Sequence, residues 1–124
     1  KKKLNKNKKK RIIFKIKGNG NETRTFNYID DFVNGFMKIL KKGKHLNIYN
    51  IGSTGEVKIS KIVEIIAKNF NCKIKIKKTK LAEGSTTRRC PDISKIKKLG
   101  YSPRITLSKG IKKTFDWYNT NIKV

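Results

Sequence analysis

At 124 residues, 35% of them hydrophobic, the chain has room for one domain with a modest core, or for part of one. No apolar run approaches the ~18 residues that a bilayer-spanning helix needs, and no signal peptide is visible, so the expected setting is cytoplasmic. A formal net charge of +25 forecasts salt-sensitive association with acidic surfaces.

Lys1 to Lys10 is basic and nearly free of apolar residues, which reads as a frayed segment or the tail of a truncated helix. A chain that starts at Lys1 rather than Met is expected to be part of a longer reading frame. Residues 11–124 are taken as one lobe. Ile12, Phe14 and Ile16 alternate with Ile13, Lys15 and Lys17, the period-two pattern of a half-buried strand, and Gly18 and Gly20 stop it. Ile29, Phe32, Val33, Phe36, Met37 and Leu40 recur at spacings of three and four, which predicts a helix that buries this face. Asp30 and Asp31 in the first turn and Lys38, Lys41 and Lys42 in the last match the helix dipole, and Gly43 is a natural stop.

Leu46 to Ile51 is predicted to be a short strand ending at Gly52-Ser53-Thr54-Gly55. Ser60 is expected to cap a helix with a face of Ile62, Ile65, Ile66 and Phe70. Cys72, Ile74 and Ile76 alternate with lysines as a second strand, and Lys78 to Cys90 has no clear period and reads as a loop. Asp92 caps a short helix through Ile93, Ile96 and Leu99, ended by Gly100 and Pro103, and Ser108 opens a last helix carrying Ile111, Phe115 and Tyr118. The sum is a small α/β lobe with too few strands for a doubly wound sheet, suited to sit against a larger domain.

Most chemistry is excluded. Gly52-Ser53-Thr54-Gly55 follows an expected strand and precedes a helix, but Lys58 stands where a dinucleotide fingerprint has its third glycine. Lys77 and Lys78 stand where the acid should follow the next strand. Cys72, Cys90 and His45 have no metal-ligand spacing, so the cysteines read as reduced and structural. No nucleophile has a base and an orienting group beside it. Asn21-Glu22-Thr23 matches a glycosylation sequon by accident, given no secretion route. The basic excess is mostly lysine, since only Arg11, Arg24, Arg88, Arg89 and Arg104 are arginine, and arginine does most bidentate reading of guanine and phosphate. Lysine, asparagine and isoleucine together are what an AT-rich coding sequence yields. A small basic nucleic-acid-binding module is the alternative reading, with non-specific contact only under the favoured one. Phe32, Phe36 and Phe115, placed on buried faces, would give such a module no stacking platform.

Five segments in order carry a resemblance. Gly18, Gly20, Arg24, Phe26, Tyr28, Asp30 and Asp31 fit a G-x-G-x-x-x-R stretch before a "YVDD"-like helix start, and Tyr49-Asn50-Ile51-Gly52 fits "YNIG". Arg89-Cys90-Pro91-Asp92 fits R-x-P-D, Lys95 to Pro103 fits "K-A-x-x-x-L-G-W-x-P", and Leu107 to Thr114 fits "L-x-x-G-L-x-x-T". From about Arg11 to Tyr118 the chain resembles the carboxy-terminal third of the NAD-dependent epimerase/dehydratase family, the extended short-chain dehydrogenase/reductases that modify nucleotide sugars.

The resemblance implies a substrate-binding lobe without the Rossmann domain, with NAD(P) held by the complete enzyme and no cofactor bound by this chain. It implies a nucleotide-sugar substrate and a homodimeric complete enzyme. Its Y-x-x-x-K catalytic motif is missing, since none of Tyr28, Tyr49, Tyr101 and Tyr118 has a lysine four residues on, so no catalytic residue is expected here. Arg24 and, ahead of Arg88, Arg89 are the expected diphosphate ligands, because a guanidinium fork makes two parallel charge-assisted bonds. Asn50 is expected to support the same pocket or a turn, and Phe14 and Lys17 lie on the strand implied to hold the base. Epimerase, dehydratase and decarboxylase remain open, as do sugar and base.

Overall fold

The computed structural model describes residues 11–69 and 72–121, so the basic segment 1–10 and Phe70 lie outside the described residues. The alternating run at the start forms β1 (Arg11–Lys17). After it come β2 (Thr23–Thr25), α1 (Ile29–Lys42), β3 (Glu56–Lys58) and α2 (Ile59–Asn69). Next are β4 (Lys73–Thr79), β5 (Arg88–Arg89), α3 (Ser94–Lys97) and α4 (Leu107–Asn121). These make two small sheets. β1 and β4 pair in parallel, with Ile12 opposite Ile74 and Phe14 opposite Ile76, and a parallel pair needs the long crossover that the intervening elements supply. The other sheet has the order β3-β2-β5, with β2 antiparallel to β3 and parallel to β5.

Burial is thin. Among the described residues seven apolar side chains are buried while fourteen large ones stand exposed, so most of the large apolar side chains lie outside the core. Ile93, Ile96 and Tyr101 form one cluster, with Ile39, Tyr49, Ile51 and Leu99 packed around it. α2 buries Ile62, Val63 and Ala67 and packs on β4 and α4. Gly100, at φ +85°, ends the turn after α3 in a conformation that favours glycine.

Several expectations are corrected. Leu46 to Ile51 is not a strand. It lacks a ladder partner among the described residues, and a strand exists only where its backbone is paired. The stretch from Lys78 to Cys90 contains the end of β4 and all of β5. β2, β3 and β5 are two or three residues long, too short to show a period. Ser60 does not cap α2. It lies in the first turn, where its amide and that of Ile59 donate to the carbonyls of Gly20 and Glu22 at 3.1 and 2.9 Å. α4 begins at Leu107 rather than Ser108, and the Thr106 hydroxyl accepts from the Lys109 amide at 3.4 Å.

α1 forms where its periodicity places it, but the expected apolar stripe is not its buried side. The side turned inward is Asp31, Gly35 and Ile39, of which the first two are buried and the third packs on the core cluster, and the expected stripe faces out, with Phe32 45% and Phe36 48% exposed. Gly35 is required by packing: a Cβ there would lie 2.8 Å from Ile51 and 3.0 Å from Tyr101. Asp31 is more than a helix-start residue, because its two carboxylate oxygens accept the amides of Arg104 and Ile105 at 3.0 and 2.9 Å. Asp30 stays on the surface and pairs with Lys113 at 3.1 Å.

Candidate functional site

The three-stranded sheet sorts its side chains by strand alternation. Arg24 stands on β2 rather than in a loop, opposite Val57 of β3 and in parallel register with Arg89 of β5. Register partners share a face, so the two guanidinium-bearing residues lie side by side on one face of the sheet. Thr23, Glu56 and Arg88 occupy the opposite face. There Arg88 makes a two-pronged pair with the Glu56 carboxylate, at 2.9 to 3.1 Å, and the Thr23 hydroxyl donates to the same carboxylate. The Thr23 hydroxyl first, and then Arg88, hold the Glu56 carboxyl below its usual range. Of the two adjacent arginines, Arg88 is thus spent on a carboxylate and Arg89 is not.

Both facing arginines converge on Thr86. Arg24 Nη2 donates to the Thr86 carbonyl at 2.8 Å, and its Nη1 to the carbonyls of Thr23 and Thr87 at 2.7 and 3.3 Å. Arg89 Nε donates to Thr86 Oγ1 at 2.9 Å. These bonds fix the Arg24 plane while leaving its Nε–H and one Nη2 hydrogen for another acceptor. Arg89 keeps its four Nη hydrogens. Guanidinium groups on one sheet face repel each other, and an anion bound between them would relieve that repulsion.

The loop before Arg24 is itself an anion nest, but its anion is internal. Gly18 and Gly20 have φ of +92° and +85°, which turns the amides of Asn19 and Gly20 onto the Glu22 carboxylate at 3.0 and 2.8 Å. The Glu22 amide, then that of Asn19, hold this buried carboxyl below its usual range against the opposing effect of burial, with smaller help from Gly20 and Arg24. The glycines therefore serve Glu22 rather than close approach of a ligand.

Asn50 lies between the two parts of the candidate site. Its Nδ2 donates to the Asp92 carbonyl at 3.1 Å, three residues beyond Arg89, and a Cβ on Gly52 would meet Pro91 at 2.7 Å. Ser53 Oγ donates to the Phe26 carbonyl at 2.9 Å and Tyr101 Oη to that of Gly52 at 2.9 Å. The segment 50–53 thus ties the exit of β2 to the loop that follows β5. Burial foremost pushes the Tyr101 hydroxyl above its usual pKa. Phe14 and Lys17 are not brought together. An odd separation along β1 puts them on opposite sheet faces, and both lie on the other sheet from Arg24 and Arg89. Sequence reasoning missed Ser53, Thr86, Thr87 and the nest for Glu22. The run Ser85-Thr86-Thr87 ahead of Arg88 was the one available sign of a polar cradle.

No nicotinamide cofactor fits Gly52 to Gly55. β3 intervenes before α2, whose first amides are already bonded, so no helix N-terminus faces that turn to receive a pyrophosphate. Among the described residues no cluster of His, Cys, Asp and Glu could hold a metal ion, and no helix is long and apolar enough to cross a membrane.

A family model described as GDP-mannose 4,6 dehydratase matches residues 2–114. This chain belongs to the NAD-dependent epimerase/dehydratase family. Human dTDP-D-glucose 4,6-dehydratase is 35% identical over 115 residues, covering 86% of this chain and 32% of the relative. The UDP-glucuronic acid 4-epimerase of Bacillus cereus, solved with UDP-glucuronic acid and NAD, superposes with a TM-score of 0.78 at 30% identity over 86% of this chain and 35% of that one. The dTDP-glucose 4,6-dehydratase DesIV of Streptomyces venezuelae gives a TM-score of 0.79 at 26% identity, covering 88% and 34%. The small α/β fold is that of the extended short-chain dehydrogenase/reductases. The chain spans 32% of the uncharacterised Methanocaldococcus jannaschii relative and 17% of a trifunctional Arabidopsis dehydratase.

Proposed function

We propose that this chain is the nucleotide-sugar-anchoring portion of an NAD(P)-dependent epimerase or dehydratase, in which Arg24 and Arg89 grip the diphosphate. The observation that carries the reading is their parallel register on one sheet face, opposite the face where Arg88 is neutralised by Glu56. Family membership supports it, since the similar enzymes named above act on nucleotide sugars. A diphosphate group does not react during epimerisation or dehydration of the sugar. Binding energy gathered there can therefore orient the sugar toward a nicotinamide held by a Rossmann domain outside this chain. Of the two candidates on β1, Lys17 is retained for the nucleotide, because it runs directly into the Gly18–Gly20 turn that leads to Arg24. Phe14 is released from that role.

Calorimetric titration of the chain with UDP, dTDP and GDP and with the matching monophosphates tests this. At least tenfold tighter binding of diphosphates is expected, and equal affinity for both would overturn the reading. A second reading, polyanion binding, draws on Lys15, Lys17, Lys73, Lys75 and Lys77, all exposed on one face of the β1–β4 sheet.

A further inference from the structure

We infer that the lysine face of the β1–β4 sheet is a track for a nucleic-acid backbone, held through its phosphates and without reading of its bases. The inference deepens the second reading above: it rests on polyanion binding at this face and names the polyanion.

The strand register builds the track. Partners in the parallel pair stand side by side, so Arg11 with Lys73, Ile13 with Lys75, Lys15 with Lys77, and Lys17 with Thr79 make four successive levels on one face. Every level carries at least one exposed lysine: Lys73, then Lys75, then Lys15 with Lys77, then Lys17. Same-face residues of a strand repeat every ~6.6 Å, so the four levels span ~20 Å. The opposite face turns toward the body of the lobe. There Ile16 is 4% exposed, lying against Gly20, and β4 packs on α2.

No carboxylate of the described residues pairs with the track. Asp30, Glu64 and Asp116 bind Lys113, Lys61 and Lys112, and Glu56 binds Arg88. Glu22 is held in its nest, Asp31 by the amides of Arg104 and Ile105, and Asp92 by Ser94. The five ammonium groups therefore repel one another along a line, and a line of negative charge relieves that repulsion.

Shape and side-chain type select among polyanions. The track is two strands wide, with neighbouring strands ~4.8 Å apart, whereas a membrane presents a broad plane of headgroups. Depressions of about 730 and 550 Å³ share Ile13 and Lys75 as lining residues, which gives the face relief that a plane would not fill. A nucleic-acid strand is itself a line of charge, with one phosphate per ~3.4 Å of duplex axis and a longer path along its winding backbone. Ile13, 66% exposed beside Lys75, offers apolar contact to a sugar. An acidic peptide has no such unbroken charge repeat. Lysine is a point charge without the fork that reads guanine, and no aromatic residue stands on the four levels to stack with a base. Contact is thus with phosphates, which position a strand without reporting its sequence.

The test titrates the full chain with a short labelled DNA duplex, and with poly-glutamate and phosphatidylserine vesicles at the same salt and equal charge concentration. DNA is expected to bind at least tenfold tighter than either rival. Lys73→Gln, Lys75→Gln and Lys77→Gln together should weaken DNA at least tenfold. Lys15→Gln with Lys17→Gln, on the other strand, should weaken it as well, so the result does not hang on one variant's folding. Lys41→Gln, Lys42→Gln and Lys44→Gln remove the same charge from the end of α1 and the turn after it, and should change affinity less than about threefold. Equal loss in that control overturns both the track and the polyanion reading of this face. Poly-glutamate or vesicles bound as tightly as DNA, and lost with the same lysines, overturn the track while the polyanion reading stands. Displacement of the DNA by UDP would move it onto Arg24 and Arg89, and overturns the track too.

Discussion

Gly18 lies directly against the carboxylate of Glu22: a Cβ at residue 18 would come within 2.1 Å of Oε1 and 2.5 Å of Cδ. With φ at +92° the position also lies where an L-residue is strained by about 1–2 kcal/mol. Gly18→Ala must therefore displace Glu22 and release the amides of Asn19 and Gly20. Thermal unfolding should show a loss of about 2–4 kcal/mol. Gly55→Ala, with open space around its Cβ and no positive φ, is the control and should leave Tm within a degree or two.

The same nest makes stability depend on acid. Glu22 has its carboxyl pKa lowered in the folded state, so its contribution is fully present above the ordinary glutamate value of about 4.3 and fades as pH falls through the lower folded value. Glu56 and Asp92 are lowered as well, and act in the same direction. Tm should hold from pH 7 to about 5 and fall below about 4. Glu22→Gln should be less stable at neutral pH and should flatten the acid limb, and an unchanged acid limb would remove Glu22 from the account.

Arg24 and Arg89 should matter for ligand and Arg88 should not. In a complete enzyme, Arg24→Ala should cost roughly 2–4 kcal/mol of substrate binding, because it removes a charge-assisted donor pair held rigid by three carbonyls. Arg89→Ala should weaken binding less, its side chain being exposed and tied only through Nε. Arg88→Ala should leave diphosphate affinity unchanged, since its guanidinium lies on the other sheet face with Glu56. Equal losses for Arg88→Ala and Arg89→Ala would refute the sorting by strand alternation.

Asp31 and Asp30 separate a structural carboxylate from a surface one. Asp31→Ala leaves the amides of Arg104 and Ile105 without their acceptor in a part-buried place, which should cost about 1–3 kcal/mol of stability. Asp30→Ala breaks only an exposed pair with Lys113 and should barely move Tm. Urea titration of both variants measures the difference directly.

How far the sequence reveals this follows from what each signal measures. Helical periodicity located α1 because six apolar residues at spacings of three and four leave no other element. Periodicity reports which side is apolar and not what covers it, so Phe32 and Phe36 were placed on a buried face whereas both stand about half exposed. Leu46 to Ile51 failed for the related reason that strand alternation is local while strand pairing is not. Arg24 and Arg89 were legible as a pair only through the ordered family segments. Their common face depends on β2 and β5, which together have too few residues to show a period. Glu22 was invisible because its role depends on the backbone of two glycines rather than on any side-chain pattern.

The lysine face of the β1–β4 sheet sets the last expectation. Lys73, Lys75 and Lys77 alternate with Ile74 and Ile76, so all three stand on the face of Lys15 and Lys17. Among the described residues the ion pairs lie elsewhere, on Lys61, Arg88, Lys112 and Lys113. A polyanion laid across this face would release about 0.9 counterions per phosphate neutralised. Replacing the three lysines by glutamine should lower the log–log salt slope of duplex DNA binding by about 2–3, while affinity for a nucleoside diphosphate stays the same. A slope unchanged by the triple substitution would mean that the charge acts diffusely, as composition rather than as a surface. A loss of diphosphate affinity in the same variant would move the anion site from Arg24 and Arg89 onto this sheet.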